Sequence, residues 1–255
     1  MQAFMGSLPS QGVAAWWRDA LDHPHCIVIK PVSNKLMKTS TAVSVEPDLD
    51  SYLDRFPLIA ILRGVRPEEV EAIGEVLVEE GFSILEVPLN SPQPLQSIER
   101  LARRFPGTLI GAGTVLSRQA VAGVKSAGGQ LVLMPHSDPE VVRESRAAGL
   151  LCVPGVATPT EAFAALANGA SALKLFPAEQ IGPPVVKAWR AILPPTVRML
   201  PVGGITVESM APYRAAGASG FGLGSALYQP GFSPDLVRER ASAFRLALQA
   251  GQPGA

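Results

Sequence analysis

A single lysine stands in the middle of a short apolar segment, SALKLFPAEQ, at residues 171–180. If the segment is a β-strand, side-chain alternation puts Ala172, Lys174 and Phe176 on one face and the two leucines on the other. The leucines suit packing against helices, so Lys174 is expected to point to the enclosed side of the sheet. Burial there lowers the pKa of the amine, and a neutral amine can form a Schiff base with a ketone. The alternative is a structural Lys–Glu pair, although such buried pairs are weak stabilisers.

A carboxylate occupies a similar place in the segment ILEVPLN, residues 84–90. Ile84, Glu86 and Pro88 alternate on one face of the predicted strand, so Glu86 is also expected to point inward. Near a Schiff base, this carboxylate can act as general acid and base, because imine chemistry needs several proton transfers. The alternative is that Glu86 only neutralises the charge of Lys174.

Further polar residues interrupt the C-terminal halves of apolar runs, namely Arg63, Asn90, Thr114 and Ser225. Parallel strands that end at one mouth would bring these side chains together. Arg63 can clamp a carboxylate or phosphate through paired hydrogen bonds, or else form a salt bridge at the rim. The segments PVGGITVES and GFGLGSALY put glycines at strand ends, where backbone N–H groups can bind phosphate or simply form tight turns.

The pattern from Leu58 onward predicts the fold. Segments with helical spacing separate eight apolar runs, which are LIAILRG, ILEVPLN, LIGAGTV, LVLMP, LCVPGV, ALKLFPA, MLPVGGI and GFGLGSA. Near-continuous apolar strands are typical of a parallel sheet covered by helices, and eight β/α units close a TIM barrel. The predicted fold class is therefore α/β, a (β/α)8 TIM barrel. An open doubly wound sheet is the alternative, but no GxGxxG follows the first strand.

The chain divides into two unequal parts. Residues 1–50 lack the periodicity and are expected to be an N-terminal extension, flexible or loosely packed, whereas residues 51–250 form the TIM-barrel domain. The alternative is an added helix or strand that packs on the barrel through Trp16, Trp17 and Leu21.

Composition argues against several classes of partner. Lys plus Arg equals Asp plus Glu, at 22 each, so no global field favours nucleic acid or an anionic membrane. The sequence contains no run of about 18 apolar residues, so it predicts no membrane span. Two cysteines without CxxC spacing argue against a disulfide framework and favour a reducing cytoplasm. The histidines, His23, His25 and His136, are too scattered for a metal site, and Cys152 is expected in the core.

Taken together, these segments resemble a known family. From about Leu58 to Pro230 the chain is similar to the bacterial 2-keto-3-deoxy-6-phosphogluconate and 6-phosphogalactonate aldolases, which are class I aldolases. The similarity rests on ILRG, GFSILEVPLNSP, LIGAGTVL, GVATPTEAFAAL, GASALKLFPAE, PVGGIT and GLGSALY, in order along the chain. It implies a compact TIM barrel, a homotrimer, a phosphorylated keto sugar acid as substrate, and no metal or organic cofactor.

The resemblance also implies roles for individual residues. Lys174 would be the Schiff-base lysine and Glu86 the general acid and base. The implied substrate-binding roles are carboxylate binding by Arg63 and Thr114, pocket lining by Pro135 and Phe176, and phosphate binding by Gly203, Gly204, Gly224 and Ser225.

Two positions bear on the choice of substrate. Asn90 stands where the phosphogluconate enzymes typically carry Arg, and Val202 precedes the glycine pair where they typically carry Thr. Both features resemble the phosphogalactonate branch, whose substrate differs in configuration at one hydroxyl-bearing carbon. A Thr-to-Val change removes a hydroxyl that can bond that group.

The predicted activity is cleavage of 2-dehydro-3-deoxy-6-phosphogalactonate to pyruvate and D-glyceraldehyde 3-phosphate. One alternative is cleavage of 2-dehydro-3-deoxy-6-phosphogluconate or of 4-hydroxy-2-oxoglutarate. A non-aldolase barrel of the thiamine-phosphate or indole-glycerol-phosphate type would share the glycine loops but does not require Lys174. A catalytically silent phosphate-binding barrel is the alternative from a different class.

Overall fold

The computed structural model describes residues 48–250 as helices that alternate with short strands. The strands are β1 (Leu58–Ile61), β2 (Ile84–Pro88), β3 (Leu109–Gly113), β4 (Leu131–Leu133), β5 (Leu151–Val153), β6 (Gly155–Val156), β7 (Leu173–Leu175), β8 (Met199–Pro201) and β9 (Phe221–Leu223). The helices are α1 (Leu49–Arg55), α2 (Val70–Glu79), α3 (Pro94–Arg104), α4 (Arg118–Ser126), α5 (Pro139–Ala147), α6 (Pro159–Ala167), α7 (Pro183–Arg190), α8 (Val207–Ala215) and α9 (Pro234–Ala250). The expectations for Trp16, Trp17 and Leu21 lie outside the described residues.

The strands close into a barrel. Hydrogen bonding runs in the order β5-β4-β3-β2-β1-β9 in one sheet and β6-β7-β8 in the other. The segments β5 and β6 are parts of one barrel strand that is interrupted at Pro154, whose carbonyl accepts a 2.9 Å hydrogen bond from the Lys174 N–H. A parallel bridge from Val202 to Gly222 joins the two sheets on the other side. The TIM barrel and its eight predicted strands are confirmed, and the open doubly wound sheet is wrong.

Apolar side chains fill the end of the barrel where the strands begin. Ile84 and Leu109, the first residues of β2 and β3, lie in a buried interior cluster to which α1 contributes Leu49 and Leu53. The helix α1 therefore covers this end of the barrel, and burial of its two leucines holds it there.

Charged contacts fix α1 in place. Asp48 caps the helix by accepting from the Asp50 N–H at 3.2 Å. Arg198, which precedes β8, donates to Asp50 at 2.8 Å and to Asp54 at 2.7 Å. The predicted domain boundary between residues 50 and 51 lies inside this helix.

The outer faces of the strands pack against the helices. Leu173 and Leu175 of β7 belong to the large outer cluster, whereas Ala172 belongs to the interior cluster. This alternation agrees with the orientation expected for the segment SALKLFPAEQ. Within residues 48–250, no helix has both the length and the apolar character needed to cross a membrane.

Candidate active site

Lys174 lies in the barrel wall near the mouth. Its backbone is in register with Gly155 of β6 and Leu200 of β8, and its side chain is only 5% exposed. The Nζ atom lies 4.6 Å from the centroid of the Phe176 ring, two residues further along the same face. An aromatic face stabilises an ammonium group less well than water does, so this lysine is held where its charge is costly.

Glu86 is buried even more completely. Its residue is 1% exposed, and Oε2 receives no hydrogen bond from any residue of the 48–250 segment. Gly113 of the adjacent strand makes room for the carboxyl group, because a Cβ atom there would lie 2.0 Å from Oε2. A buried carboxyl oxygen without a partner is unusual in a core and is suited to accept from a bound hydroxyl group.

Burial shifts the pKa values of this pair toward each other. It raises the pKa of Glu86 to about 7, while the charges of Lys174 and Arg63 and the Gly113 amide act in the opposite direction. Burial also lowers the pKa of Lys174; Glu86 opposes that effect and Arg63 adds to it. Both groups are therefore easier to neutralise than exposed residues of their types, as proton-transfer chemistry requires.

Arg63 presents its guanidinium group at the mouth. Nη1 donates to Oδ1 of Asn90 at 2.7 Å, and Nη2 donates to Oγ1 of Thr114 at 3.3 Å. Within the described part of the chain Arg63 has no ion pair. A cation held by two neutral acceptors keeps its charge available for an anion.

The backbone of Thr114 is strained. Its φ angle is +54°, a left-handed conformation that β-branched residues rarely adopt. Such strain is typical of residues whose side-chain position matters for function. Here it places the Thr114 hydroxyl within reach of Arg63.

The glycine pair after β8 also needs a special backbone. Gly203 and Gly204 have φ angles of +106° and +62°. A Cβ atom at Gly203 would lie 2.6 Å from Oε2 of Glu179, so a side chain would also collide there. The loop enters α8, where the Thr206 hydroxyl accepts from the Ser209 N–H as N-cap. An anion can thus approach the backbone closely near a helix N-terminus.

A cavity of about 520 Å³ extends from Arg63 and Lys174 to the glycine pair after β8. Its wall includes the predicted site residues Arg63, Lys174, Phe176, Val202, Gly203, Gly204, Gly224 and Ser225. Glu86, Asn90, Thr114 and Pro135 are not part of the wall. Asn90 and Thr114 accept hydrogen bonds from Arg63, and Pro135 packs against Gly155, the strand partner of Lys174.

Sequence reasoning missed four polar residues on this wall, namely Glu179, Thr206, Gln229 and Arg240. Glu179 and Thr206 follow strands β7 and β8 closely, so their positions after strand ends were a usable signal. Gln229 and Arg240 lie six and seventeen residues after the end of β9, so no strand end marks them in the sequence.

The other candidates play no part in the cavity. His136 is exposed in the loop after β4. Cys152 is 1% exposed, and burial raises the pKa of its thiol to about 12, as expected for a core residue. Among residues 48–250, no three His, Cys, Asp or Glu side chains are grouped as metal ligands.

Comparison with known proteins places this site in a family. The family model "Aldolase: KDPG and KHG aldolase" matches residues 49–240. The probable 2-dehydro-3-deoxy-6-phosphogalactonate aldolase of Rhizobium meliloti (strain 1021) is 49% identical over 195 residues, which are 76% of this chain and 92% of the relative. The chain belongs to the KDPG and KHG aldolase family.

Other relatives agree with this assignment. The 2-dehydro-3-deoxy-6-phosphogalactonate aldolase of Escherichia coli (strain K12) is 44% identical over 191 residues, which are 74% of this chain and 93% of the relative. Both named relatives carry the phosphogalactonate name, so the predicted resemblance to that branch is confirmed.

Solved structures give the same result. A native KDPGal structure superposes with a TM-score of 0.76 at 43% identity, and the match covers 77% of this chain and 96% of that chain. The KDPG aldolase of Legionella pneumophila, with pyruvate captured at low pH as a covalent carbinolamine intermediate, has a TM-score of 0.65 at 26% identity. That match covers 80% of this chain and 97% of the other.

The raised pKa of Glu86 predicts a pH-dependent stability. A folded-state pKa of about 7, against an ordinary value of 4.5, means that folding favours the protonated carboxyl. The stabilising contribution is complete below the unfolded value and is lost as pH rises through the folded value. We expect the urea midpoint of the wild type, relative to Glu86→Gln, to fall as pH rises from 4.5 through about 7. A difference between the two proteins that is the same across this range would contradict the assignment.

Proposed function

We propose that this member of the KDPG and KHG aldolase family is a class I aldolase that cleaves 2-dehydro-3-deoxy-6-phosphogalactonate to pyruvate and D-glyceraldehyde 3-phosphate. The observation that carries the proposal is the buried Lys174 amine beside the buried Glu86 carboxyl, at a cavity that extends to the glycine pair. The names of the two curated relatives support the choice of substrate.

The reaction begins with the amine of Lys174. Nζ attacks the ketone carbon of the substrate to give a carbinolamine, and loss of water gives an iminium ion that withdraws electrons. The carbinolamine captured in the Legionella pneumophila relative supports this step. A lowered pKa favours the neutral amine that the attack needs.

Glu86 moves the protons. It takes the proton from the C4 hydroxyl, directly or through a water, and the C3–C4 bond breaks as its electron pair passes to the iminium group. D-Glyceraldehyde 3-phosphate leaves, and an enamine remains on Lys174. Protonation of the enamine at C3 and hydrolysis of the imine release pyruvate and restore the free amine. A pKa of about 7 suits a group that must both accept and return a proton.

The rest of the cavity binds the substrate. Arg63, held by Asn90 and Thr114, binds the carboxylate next to the ketone. Phe176 lines the apolar part of the cavity, and Pro135 supports the wall through its packing against Gly155. The phosphate site is assigned to Gly203, Gly204, Gly224 and Ser225. Exposed backbone N–H groups beside glycines suit a phosphate.

Replacement of Lys174 tests the mechanism. Lys174→Met should lower kcat/KM for cleavage by at least about 1,000-fold, because the nucleophile is lost while an apolar side chain of similar length remains. Lys187→Met on the exposed part of α7 is the matched control and should leave the rate unchanged. Borohydride reduction with pyruvate, followed by peptide mass spectrometry, should find a pyruvate-sized adduct on Lys174 of the wild type.

The outcome also decides between classes of function. An active, well-folded Lys174→Met protein would refute Schiff-base catalysis. A folded wild type that forms no adduct would instead favour the catalytically silent phosphate-binding barrel, with Lys174 as a structural cation.

Substrate choice depends on Val202 in this proposal. Val202 lies on the cavity wall directly before the glycine pair, and no side-chain hydroxyl is available at that position. We expect Val202→Thr to shift the ratio of kcat/KM values toward the gluconate epimer by about 3- to 10-fold, as one added hydrogen bond would. Rates on both epimers and on 4-hydroxy-2-oxoglutarate measure this, with Val185→Thr on α7 as control. If the ratio of kcat/KM values is unchanged, Val202 does not determine the choice between the epimers. The gluconate epimer and 4-hydroxy-2-oxoglutarate then remain alternative substrates.

We also propose that the protein is a homotrimer, as the resemblance implied. Leu95 and Leu116 are 40% and 58% exposed, and Leu95 lines an apolar hollow at the start of α3. Exposed apolar groups of this kind favour association. Light scattering should give the mass of three chains for the wild type and of one chain for Leu116→Glu. Leu246→Glu, at an equally exposed leucine of α9, should remain trimeric; a monomeric wild type would refute the proposal.

A location in the cytoplasm stays a prediction, and we propose a part in carbohydrate metabolism because the substrate is a keto sugar acid. Cys152 is a free buried thiol, which suits a reducing compartment. Cell fractionation tests the location, and recovery in an oxidising compartment would refute it.

A further inference from the structure

The last helix carries three arginines, and two of them have a structural role. Arg238 binds Glu79 at 2.5 Å, and Arg245 binds Glu80 at 3.0 Å. These two arginines are seven residues apart, so they lie on one side of α9 and hold it against the end of α2. These two ion pairs fix α9, which follows the last strand, to α2, which follows the first strand.

Arg240 belongs to another side of the same helix. It follows Arg238 by two residues, which is a rotation of about 200° around the helix axis. Its side chain lies on the wall of the active-site cavity. Nη1 donates to the carbonyl oxygen of Ala226 at 2.9 Å, and the guanidinium carbon lies 4.8 Å from the centroid of the Phe232 ring. Arg240 is thus held against the loop that contains Gly224 and Ser225.

The charge of Arg240 has no counterion in residues 48–250. Arg238 and Arg245 both form ion pairs with carboxylates, whereas Arg240 forms none there. Its Nε atom is buried and donates to no atom of this part of the chain. A cation on a cavity wall without a counterion is unfavourable in the free protein and favours an anion in that cavity.

The surrounding loops offer donors for the same anion. The backbone N–H groups of Gly204, Ser225 and Ala226 donate no hydrogen bond to any residue between 48 and 250. Glu179 is the single acidic residue among those that line the cavity, and its carboxylate lies beside the glycine pair. A phosphate group at these loops therefore needs a nearby cation to offset the repulsion from Glu179.

Arg63 cannot serve this end of the cavity while it binds the carboxylate. It is held by Asn90 and Thr114 and acts electrostatically on both Lys174 and Glu86, which places it at the reacting end. Lys174 is the nucleophile and is covalently bound to the ketone carbon during catalysis, so it is not free to bind the phosphate. Arg240 is the remaining cation on the described wall.

We propose that Arg240 binds the terminal phosphate of the substrate and makes the enzyme prefer phosphorylated over unphosphorylated keto acids and aldehydes. This inference rests on the proposed aldolase function. The phosphate is remote from the C3–C4 bond, so the interaction acts on the ground state and the transition state alike and should appear mainly in KM.

The test compares Arg240→Gln and Arg240→Lys with Arg238→Gln, a control on the same helix that does not reach the cavity. The assay is condensation of pyruvate with D-glyceraldehyde 3-phosphate or with unphosphorylated D-glyceraldehyde. Arg240→Gln should raise KM for the phosphorylated aldehyde by about 10- to 100-fold, the value of one lost charge-assisted hydrogen bond. The rate with D-glyceraldehyde should change by less than about 2-fold, and Arg240→Lys should recover part of the loss because it keeps the charge.

Three results would overturn the inference. Equal losses with both aldehydes would show that Arg240 only supports the Ala226 loop, an unchanged KM would show that the phosphate binds elsewhere, and a Lys variant as poor as Gln would exclude a role for charge. Calorimetric titration with inorganic phosphate separates this inference from the aldolase proposal. If the wild type forms no imine with pyruvate, weaker phosphate binding by Arg240→Gln than by Arg238→Gln still supports the site, and equal binding refutes it.

Discussion

The active site depends on the burial of an amine and a carboxyl group side by side. Removing Lys174 and Glu86 from water is unfavourable, and the attraction between them offsets only part of that cost. The pair therefore contributes little to stability and must be held by the barrel around it. In return, burial brings the pKa of Glu86 to about 7 and lowers the pKa of Lys174. The same burial would be a defect in a protein that had no proton to transfer.

Two layers of the barrel interior provide this burial, an apolar layer at the end where the strands begin and a layer of glycines next to the polar pair. Apolar residues and the leucines of α1 fill the end where the strands begin, so the interior below the pair is apolar. Nearer the mouth of the barrel, glycines leave the space that the side chains of Lys174 and Glu86 need. A Cβ atom at Gly113 would overlap the Glu86 carboxyl, and one at Gly155 would lie 2.5 Å from the backbone of Pro135. Gly113 is thus explained by the space that the Glu86 carboxyl needs, and Gly155, the strand partner of Lys174, by its close approach to the Pro135 backbone.

The sequence predicted the parts of this arrangement that local geometry determines. Strand alternation alone was enough to orient Lys174, and the position of polar residues near strand ends was enough to gather Arg63, Asn90 and Thr114. The interruption of the fifth barrel strand at Pro154 and the cover formed by α1 were not predicted, because both depend on contacts between distant segments. Arg240 was missed for the same reason. In the sequence it resembles Arg238 and Arg245. Only the packing of α9 on the barrel shows that Arg240 faces the cavity, whereas Arg238 and Arg245 contact α2.

A substrate with a carboxylate at one end and a phosphate at the other needs two cations at a fixed separation. Under the proposed function these are Arg63, which follows the first strand, and Arg240, in the helix after the last. The two are far apart in sequence and reach the same cavity because β1 pairs with β9 and α9 is bound to α2. Closure of the barrel therefore does more than complete the hydrogen bonding of the sheet. It sets the distance between the two positive groups, and so the length of the substrate whose carboxylate and phosphate can reach both while its ketone lies at Lys174.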